Sequence, residues 1–332
     1  MVSVILPIFG EFRVPMLRVC LESLKLQEGV RLEITVAGPD DRSDVENLCE
    51  ELDCNWVGVP PEQGRADGAF VPGAYRNAAA ARATGDYLFN ADIDVLYLSK
   101  TFFIDLVNFA VVNNVEALYW PPMRRMPVYT VPLFLDMASS GSLAVLLGEL
   151  DLDRPFLASI PGIPPPETVV FRNNTRTGWI AREAPTFSSI SDDGTSIGPD
   201  ERILVYLADD LDLYRSSPDN RGKEPFFCTQ DIHCGSTLVA TDYFWLAGGF
   251  CLDFTGWGCH DADFQAKLRR ICSSREIPRQ KQFCVVHLDH QRNYFDCERW
   301  RANRRLLEER RERVDGAIAE DRKNLAQFKE DE

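Results

Sequence analysis

Two carboxylates, Asp92 and Asp94, lie two positions apart in the first half of the chain. The apolar run before them, Tyr87–Ala91, predicts a strand that ends at this acidic pair. Side chains two positions apart on an extended chain point the same way, with roughly 7 Å between Cα atoms, so both can bind one hard divalent cation. Acidic pairs are also common in solvated turns, and the spacing alone leaves both interpretations open.

The chain has four histidines, at positions 233, 260, 287 and 290, and all lie in one stretch of its second half. His287 and His290 end an apolar run that begins at Phe283. Imidazole at a strand end can complete an Asp/His site for Mn²⁺ or a similar ion. Each histidine alone is more often structural, but their restriction to one segment makes a metal site an equal alternative.

A turn-rich aromatic loop, residues 248–259, leads into a predicted helix whose first turn carries Asp261 and Asp263. Acidic residues at a helix start cap the helix and complement its dipole, which is one explanation for both. The other explanation is that one carboxylate is a general base beside an aromatic platform. Trp257 would suit the face of a sugar ring. One residue can fill both roles.

Apolar runs of strand length alternate with helical patterns over the first part of the chain and again after residue 235. This alternation predicts an α/β fold with right-handed βαβ units and a mostly parallel sheet. Asp40, Asp92 and Asp94 each follow a predicted strand, so they are expected at the sheet edge where such folds bind ligands. The predicted strands are 2–8, 32–37, 55–59, 87–91, 116–120, 236–240 and 282–287, and the predicted helices are 14–27, 42–52, 74–84, 101–113, 137–150 and 262–271.

These patterns divide the chain into four segments. Residues 1–120 form an α/β half, and the proline-rich stretch 121–232 is a large irregular insert, too long for a plain loop and therefore a functional subdomain or lid. Order returns over 233–296. Residues 297–332 are highly charged but carry an apolar stripe, which predicts a solvated C-terminal helix docked by that stripe, with a partner-binding helix as the alternative.

Composition narrows the class of protein. The chain has 332 residues with 45% hydrophobic and 26% charged residues, as in ordinary globular domains. Its net charge of −15 argues against nucleic acid as a partner. No apolar run is long enough to span a membrane and no signal peptide is apparent, so we expect a cytoplasmic protein with reduced thiols, with peripheral membrane association left open.

The order of these motifs resembles that of the GT-A-type glycosyltransferases, most of all inverting family 2 enzymes and the galactosyltransferase or chondroitin-polymerase type. The resemblance covers about 1–120 and 235–295 and does not extend to the insert. It implies a GT-A (Rossmann-like) fold. It is carried by the opening strand 2–7, the stretch 75–87, the Asp92-Ile93-Asp94 triplet, the block Gly256-Trp257-Gly258 with Asp261 and Asp263, and the ending His287-x-x-His290.

The resemblance implies a nucleotide site in the half formed by 1–120. Pro7 and Glu11 stand where the family's first strand meets the nucleotide, and Asp40 matches the acid that binds the uracil. Arg76 lies in the segment that lines the nucleotide pocket. Asp92 would contact the ribose or the metal. The implied donor is a UDP-sugar.

The resemblance also implies the metal and the catalytic group. Asp94 would be the direct ligand of Mn²⁺ or Mg²⁺, with His287 as the distal ligand and His290 as a further candidate. Asp261 matches the general base, and Trp257 a contact to the acceptor or donor sugar. The half formed by 233–296 would therefore be the catalytic and acceptor half, and the insert the acceptor-binding subdomain or lid.

The implied reaction is a direct displacement. Asp261 would remove the proton of an acceptor hydroxyl, on a carbohydrate or another molecule, as that oxygen attacks the anomeric carbon and inverts it. A divalent ion would neutralise the leaving diphosphate. The expected enzyme is therefore a hexosyltransferase.

One position departs from the family pattern. His260 stands where related galactosyltransferases have Glu, which leaves the donor sugar open and makes His260 a candidate donor contact. The alternatives are a nucleotide-sugar-binding protein without catalysis, a retaining transferase or nucleotidyltransferase on the same fold, and an unrelated metallohydrolase.

Overall fold

The computed structural model describes residues 1–9, 13–126, 131–141, 143–148, 232–288, 290 and 296–328, together with the backbone of four two-residue strands between 171 and 197. Glu11 and most of the insert lie outside these residues. Among the described side chains, every cysteine is a free thiol. No described helix combines the length and the hydropathy that crossing a bilayer would require.

The elements alternate in the first half as the sequence predicts. The strands are β1 Val2–Pro7, β2 Leu32–Pro39, β3 Asn55–Val59, β4 Arg65–Ala66, β5 Ala69–Phe70, β6 Tyr87–Asn90, β7 Val95–Tyr97, β8 Ala117–Tyr119, β9 Met123–Met126, β10 Phe171–Arg172, β11 Trp179–Ile180, β12 Ser189–Ile190, β13 Ser196–Ile197, β14 Thr237–Ala240, β15 Ser274–Glu276 and β16 Val285–Leu288. The helices are α1 Val14–Lys25, α2 Ser43–Glu51, α3 Pro61–Gly64, α4 Pro72–Ala81, α5 Phe102–Asn113, α6 Val131–Ser140, α7 Leu143–Gly148, α8 Thr241–Leu246, α9 His260–Ile271, α10 Cys297–Glu312 and α11 Val314–Leu325, with short 3₁₀ turns at Lys281–Phe283 and Ala326–Phe328.

A seven-stranded sheet in the order β15-β8-β14-β6-β1-β2-β3 forms the centre of the fold. Strand β1 runs parallel to β2 and β6, β2 to β3, and β8 to β15. Only β14 is reversed in this sheet, and it pairs antiparallel with β6 and β8. The predicted fold class, a mostly parallel sheet flanked by helices with helical structure at the C-terminal end, is confirmed.

Helices cover both faces of this sheet, which is why the central strand β1 is buried along its whole length. On one face α1 and α5 pack Leu17, Leu21 and Phe102 against the sheet. On the other face α4, α8 and α9 contribute Tyr75, Phe244 and other apolar side chains. Each face therefore has its own apolar core.

A second, three-stranded sheet in the order β7-β16-β9 lies beside the carboxyl end of β6. In it, His287 of β16 stands opposite Val95 of β7, and the Leu288 amide donates to the Asp94 carbonyl at 2.7 Å. The sheet therefore carries His287 directly to the acidic pair, which lies between β6 and β7.

Three details differ from the sequence-based expectations. The helix expected over 137–150 is two helices, α6 and α7, with Gly141 between them, a residue that weakens helices. The strand expected from 282 begins at Val285, after a 3₁₀ turn. The C-terminal segment is a helical pair rather than one helix, because the backbone leaves helical geometry at Arg313 (φ −127°, ψ 43°).

Candidate active site

The carboxyl ends of β1, β2 and β6 meet at one edge of the main sheet, where Pro7, Asp40 and Asp92 lie at or just beyond the strand ends. Pro7 is buried and Asp40 is exposed, with its amide donating to the Val59 carbonyl at 3.3 Å. Asp92 and Asp94 follow β6 and point into a cluster of basic and imidazole side chains.

Asp92 is held by partners on both of its carboxylate oxygens. The Arg76 Nη2 donates to Oδ1 at 2.7 Å, and the His233 Nε2 lies 3.3 Å from Oδ2. Burial alone would raise the pKa of Asp92, but Arg76 and the hydrogen bond from His233 outweigh it and hold the pKa well below its ordinary value. Asp92 is therefore an anion at neutral pH.

Asp94 is more deeply buried, with 5% of its side chain exposed. Its Oδ2 lies 3.0 Å from the His290 Nε2 and 3.4 Å from the Arg13 Nη1, and its Oδ1 lies 3.6 Å from the His287 Nε2. Burial would raise the pKa of Asp94, but the two histidines and Arg13 hold it well below the usual range. This buried carboxylate therefore also stays charged.

His233 comes from the chain just before β14, the reversed strand. Its Nδ1 lies 2.7 Å from the Ser236 Oγ, which fixes the ring so that Nε2 faces Asp92. A Cβ at Gly235 would stand 2.2 Å from the Asp92 Oδ2, so any larger residue here would displace the Asp92 carboxylate.

Asp261 lies in the first turn of the helix α9, at the same edge. Its Oδ1 lies 3.5 Å from the Arg76 Nη2, the nitrogen that also binds Asp92, and its Oδ2 lies 3.2 Å from the His260 Nε2. Arg76 is 2% exposed and lies over the Phe250 ring, with 5.1 Å from Cζ to the ring centroid. One guanidinium therefore links the acidic pair to Asp261.

The loop before α9 is fixed to the helix α4 by a reciprocal pair of hydrogen bonds. The Asn77 Nδ2 donates to the Phe250 carbonyl at 2.9 Å, and the Phe250 amide donates to the Asn77 Oδ1 at 2.8 Å. Farther along, Asn303 of α10 donates to the carbonyls of Thr255, Trp257 and Gly258. The loop that presents Asp261 is thus held from both sides.

A second cluster of charges lies behind Asp261, between α9 and the two C-terminal helices; we call it the buried ion cluster. It consists of Asp263, Lys267, Arg310 and Asp321, each at most 3% exposed. The Lys267 Nζ lies 2.5 Å from the Asp321 Oδ2 and donates to the Gly249 carbonyl at 2.6 Å. The Arg310 Nε donates to the Asp263 Oδ1 at 2.8 Å. This cluster ties α9 to the C-terminal helices.

The carboxylate and imidazole groups at this edge of the main sheet have a spacing that fits a divalent cation. Among the residues that the structure describes, two groups have ligand atoms within 4.8 Å of one another: Asp94 with His287 and His290, and Asp92 with Asp94 and His233. The Asp94 Oδ1 is buried and accepts no hydrogen bond from the described residues, as expected of an oxygen whose partner is an ion. Carboxylate and imidazole together suit Mn²⁺.

The structure brings together most of the residues that the sequence singled out, namely Arg76, Asp92, Asp94, His260, Asp261, His287 and His290. Glu11 lies outside the described residues. Trp257 is half-buried, on the loop before α9. Arg13 and His233 were not anticipated as site residues. The clustering of histidines was the only signal for His233, and no pattern indicated Arg13.

No family model matches the chain, and no curated protein does either. Among solved structures, the chain is similar to S. aureus TarS, with 14% identity, a TM-score of 0.44, and coverage of 87% of this chain and 36% of that one. It is also similar to the mannosyltransferase PcManGT from Pyrobaculum calidifontis in complex with GDP-Man and Mn²⁺, with 16% identity, a TM-score of 0.45, and coverage of 91% of this chain and 60% of that one. The chain thus spans less than two thirds of these structures.

Proposed function

We propose that the chain is a metal-dependent, inverting GT-A-type glycosyltransferase that moves a sugar from a UDP-sugar to an acceptor hydroxyl. The observation that carries the proposal is the shared contact of the Arg76 Nη2, at 2.7 Å from Asp92 and 3.5 Å from Asp261. The Arg76 guanidinium thereby bridges Asp261, the candidate base, and Asp92 of the acidic pair. Both lie at the sheet edge where such folds bind nucleotides.

The donor would bind along the ends of β1, β2 and β6. Pro7, Asp40 and Arg76 are the donor residues at this edge, and Asp92 would contact the ribose or the ion. Glu11, which lies outside the described residues, would also contact the nucleotide, as the sequence resemblance implies. Trp257, on the loop before α9, and His260, the first residue of α9, would face the sugar.

Asp94 and His287 would hold the divalent ion, Mn²⁺ or Mg²⁺. Bound there, the ion supplies neutralisation of the negative charge that develops on the leaving diphosphate. Arg76 and Arg13 add fixed positive charge at the same edge. The excess of carboxylates over guanidiniums is what a cation would offset.

Asp261 would act as the general base. It takes the proton of the acceptor hydroxyl while that oxygen bonds to the anomeric carbon and the bond from that carbon to the diphosphate oxygen breaks, leaving UDP. A UDP-α-sugar would give a β-glycoside. His260 and Arg76 orient the carboxylate for this step. We assign acceptor recognition to the insert, 121–232, most of which lies outside the described residues.

A donor screen tests the proposal. Purified protein with Mn²⁺ is offered a panel of UDP- and GDP-sugars, and nucleotide release is followed with and without EDTA. We expect slow, EDTA-sensitive release from one UDP-sugar in the wild type and none in Asp261→Asn. A protein that binds UDP with Mn²⁺ but releases nucleotide from no donor, with or without candidate acceptors, would indicate a binding protein instead. Absence of nucleotide binding would refute the proposal.

A further inference from the structure

We propose that Asn303, on the C-terminal helix α10, is a positioning residue for the reaction of the proposed transferase. It holds residues 255–259 of the loop before α9 in the conformation that places Asp261 for proton transfer. This assignment rests on the proposed function, because it concerns the same general base. Asn303 lies in the charged C-terminal segment, where no sequence pattern indicated a residue of the site.

Three backbone carbonyls of the loop converge on the side-chain nitrogen of Asn303. The Asn303 Nδ2 donates to the Thr255 carbonyl at 2.9 Å. It also donates to the carbonyls of Trp257 and Gly258, each at 3.3 Å. Asn303 is only 3% exposed. Carbonyl dipoles that point at one buried place repel each other, so a donor at this place is what makes the arrangement of the loop favourable.

The backbone of the loop needs this support, because three of its residues have left-handed conformations. The φ angles are +68° at Gly256, +95° at Gly258 and +73° at Cys259. Glycine adopts such angles readily, whereas Cys259 carries a Cβ atom and is strained there. Cys259 precedes α9 and makes no side-chain capping hydrogen bond with the described residues. The start of α9 therefore depends on the loop for its position.

Helix α10 also packs directly against both glycines of the loop. A Cβ at Gly256 would stand 2.9 Å from the Arg299 Cδ, and a Cβ at Gly258 would stand 3.1 Å from the Trp300 Cδ1. The Arg299 Nη1 donates to the Thr255 Oγ1 at 3.2 Å. The loop thus follows the surface of α10, and Asn303 is the residue that binds its backbone.

The position of the loop determines the position of the base. Asp263 is fixed by its hydrogen bond to Arg310, so the loop governs the two residues of α9 before Ala262, which are His260 and Asp261. A shift of the loop would move Asp261 away from the acceptor hydroxyl. A displacement of about 1 Å can lower the rate of a reaction by about a hundredfold.

The acidic pair does not depend on this loop. Asp92 and Asp94 follow β6 of the main sheet, and the Asn303 hydrogen bonds within the described part of the chain all go to the loop. Loss of Asn303 should therefore lower kcat and leave the binding of UDP and metal unchanged. A residue with only a structural role would instead reduce the number of folded molecules that bind UDP.

The test compares the wild type with Asn303→Ala and with the matched control Asn324→Ala, whose asparagine is exposed on α11. Calorimetry measures UDP binding with Mn²⁺, and turnover is nucleotide release from the UDP-sugar that the donor screen identifies. We expect Asn303→Ala to lower kcat at least tenfold, with as many UDP sites per chain as in the wild type and a Kd for UDP changed by less than about threefold. Asn324→Ala should match the wild type in all three quantities.

Hydrogen exchange reports on the loop itself and needs no turnover. The Gly256 amide donates to the Phe70 carbonyl at 2.8 Å. We expect this amide and those in the first turn of α9 to exchange at least tenfold faster in Asn303→Ala than in the wild type, because the loop opens more often. The amides of β1 should exchange at the same rate in both proteins.

If Asn303→Ala does not fold, Asn303→Asp and Gly258→Ala take its place. The first variant keeps the size of the side chain and removes the donor, and the second moves the loop away from Trp300. Each should lower kcat at least tenfold with UDP binding retained.

Three results would overturn the inference and leave the proposed function intact. They are an unchanged kcat in the folded variants, unchanged exchange in the loop, and a fall in kcat that is matched by a loss of UDP sites. A wild type that releases nucleotide from no donor would refute the proposed function, and the role of Asn303 in that reaction with it.

Discussion

The helix α9 has a cluster of charges on each side of its first turns, and the two clusters differ in how fully their charges are matched. The buried ion cluster sets two carboxylates against two cations, and each carboxylate binds both of the cations. The edge cluster sets three carboxylates, Asp92, Asp94 and Asp261, against Arg13 and Arg76. The buried ion cluster has as many cations as carboxylates, whereas the edge cluster has one more carboxylate than guanidiniums.

This difference separates a structural from a functional use of the same residue types. Buried charges that are paired and hydrogen-bonded hold elements in register, and removing one partner leaves an uncompensated ion. Charges with shifted pKa values and an unsatisfied oxygen, as at Asp94, are typical of sites that bind a ligand. Asp261 and Asp263 lie two residues apart on α9, yet each belongs to a different cluster.

The largest effect is expected at Asp261. The change Asp261→Asn should lower turnover of the donor by about 10²–10⁴-fold, because the amide cannot accept the acceptor proton. UDP binding should be retained. The measurement is nucleotide release under saturating donor and acceptor.

Asp242→Asn is the matched control, since Asp242 is an exposed residue in the first turn of α8. Its turnover should equal that of the wild type. If Asp261→Asn also turns over normally, Asp261 is not the base, and the edge cluster has a different role.

The second effect concerns stability. We expect Arg310→Met to lower the free energy of unfolding by about 3–5 kcal/mol, because Asp263 and Asp321 would lose a buried partner. Arg310 is 1% exposed, and burial alone would lower its pKa, yet its hydrogen bond to Asp263 raises the pKa above the ordinary value. Denaturant unfolding provides the measurement.

Arg313→Met is the control for this change. The Arg313 Nη1 contacts Glu320 at 2.6 Å, but both side chains are about half exposed, at 51% and 49%. Exposed pairs contribute little, so the loss should be much smaller than that of Arg310→Met. Equal losses in the two variants would show that the buried ion cluster is no more structural than a surface pair.

The sequence predicted the edge cluster better than the buried one. Parallel strands end at a common edge, so Asp92 and Asp94 could be placed there from topology alone. Arg310 and Asp321, by contrast, lie in a segment whose many charges indicated a solvated helix. Their burial depends on the turn at Arg313, which folds α11 back onto α10, and no spacing rule reports a pairing across two helices.

Short elements with distant partners were also missed. Strand β9 has the sequence Met-Arg-Arg-Met and pairs with β16, far along the chain. Its two arginines do not form the apolar run that predicts a buried strand. Arg13 precedes α1 and His233 precedes β14, and each contacts a carboxylate that is far away in the sequence, which explains why single-sequence patterns did not reveal them.

A third prediction uses the metal itself. With free Mn²⁺ at one hundred times its Kd, the wild type should gain about 2.7 kcal/mol of stability, because the ion binds only the folded state. Asp94→Asn should lose this gain, and EDTA should abolish it. Arg310→Met should gain the same stability on adding Mn²⁺, although its free energy of unfolding without the metal is lower than that of the wild type. The shift of the unfolding midpoint on adding Mn²⁺ measures all three, and a gain retained in Asp94→Asn would contradict the assigned ligand.

The smallest effect is a pH dependence at His260. Burial lowers the pKa of His260 from its model-compound value of 6.5, and the neighbouring Asp261 offsets this only in part. At a pH well above 6.5 the His260 imidazole is neutral in both the folded and the unfolded protein, so it does not make stability depend on pH. As the pH falls below 6.5, His260 binds a proton in the unfolded chain but not in the folded chain, so the free energy of unfolding decreases.

His260→Gln should therefore lose less stability than the wild type between pH 7.5 and pH 5.5. Unfolding midpoints of both proteins at the two pH values give the comparison. Carboxylates elsewhere contribute equally to both proteins and cancel. Equal losses would mean that His260 does not titrate with unfolding.

The reversed strand β14 has a consequence for how the protein is made. Strand β8 reaches the main sheet only through β14, which enters between β8 and β6. On the ribosome, Thr237 emerges about 120 residues after its partner Tyr119, a delay of about 6–24 s at ordinary rates of synthesis. During that interval β6 and β8 lack the strand that joins them in the main sheet, so the growing chain exposes unpaired strand edges, which are sites of aggregation.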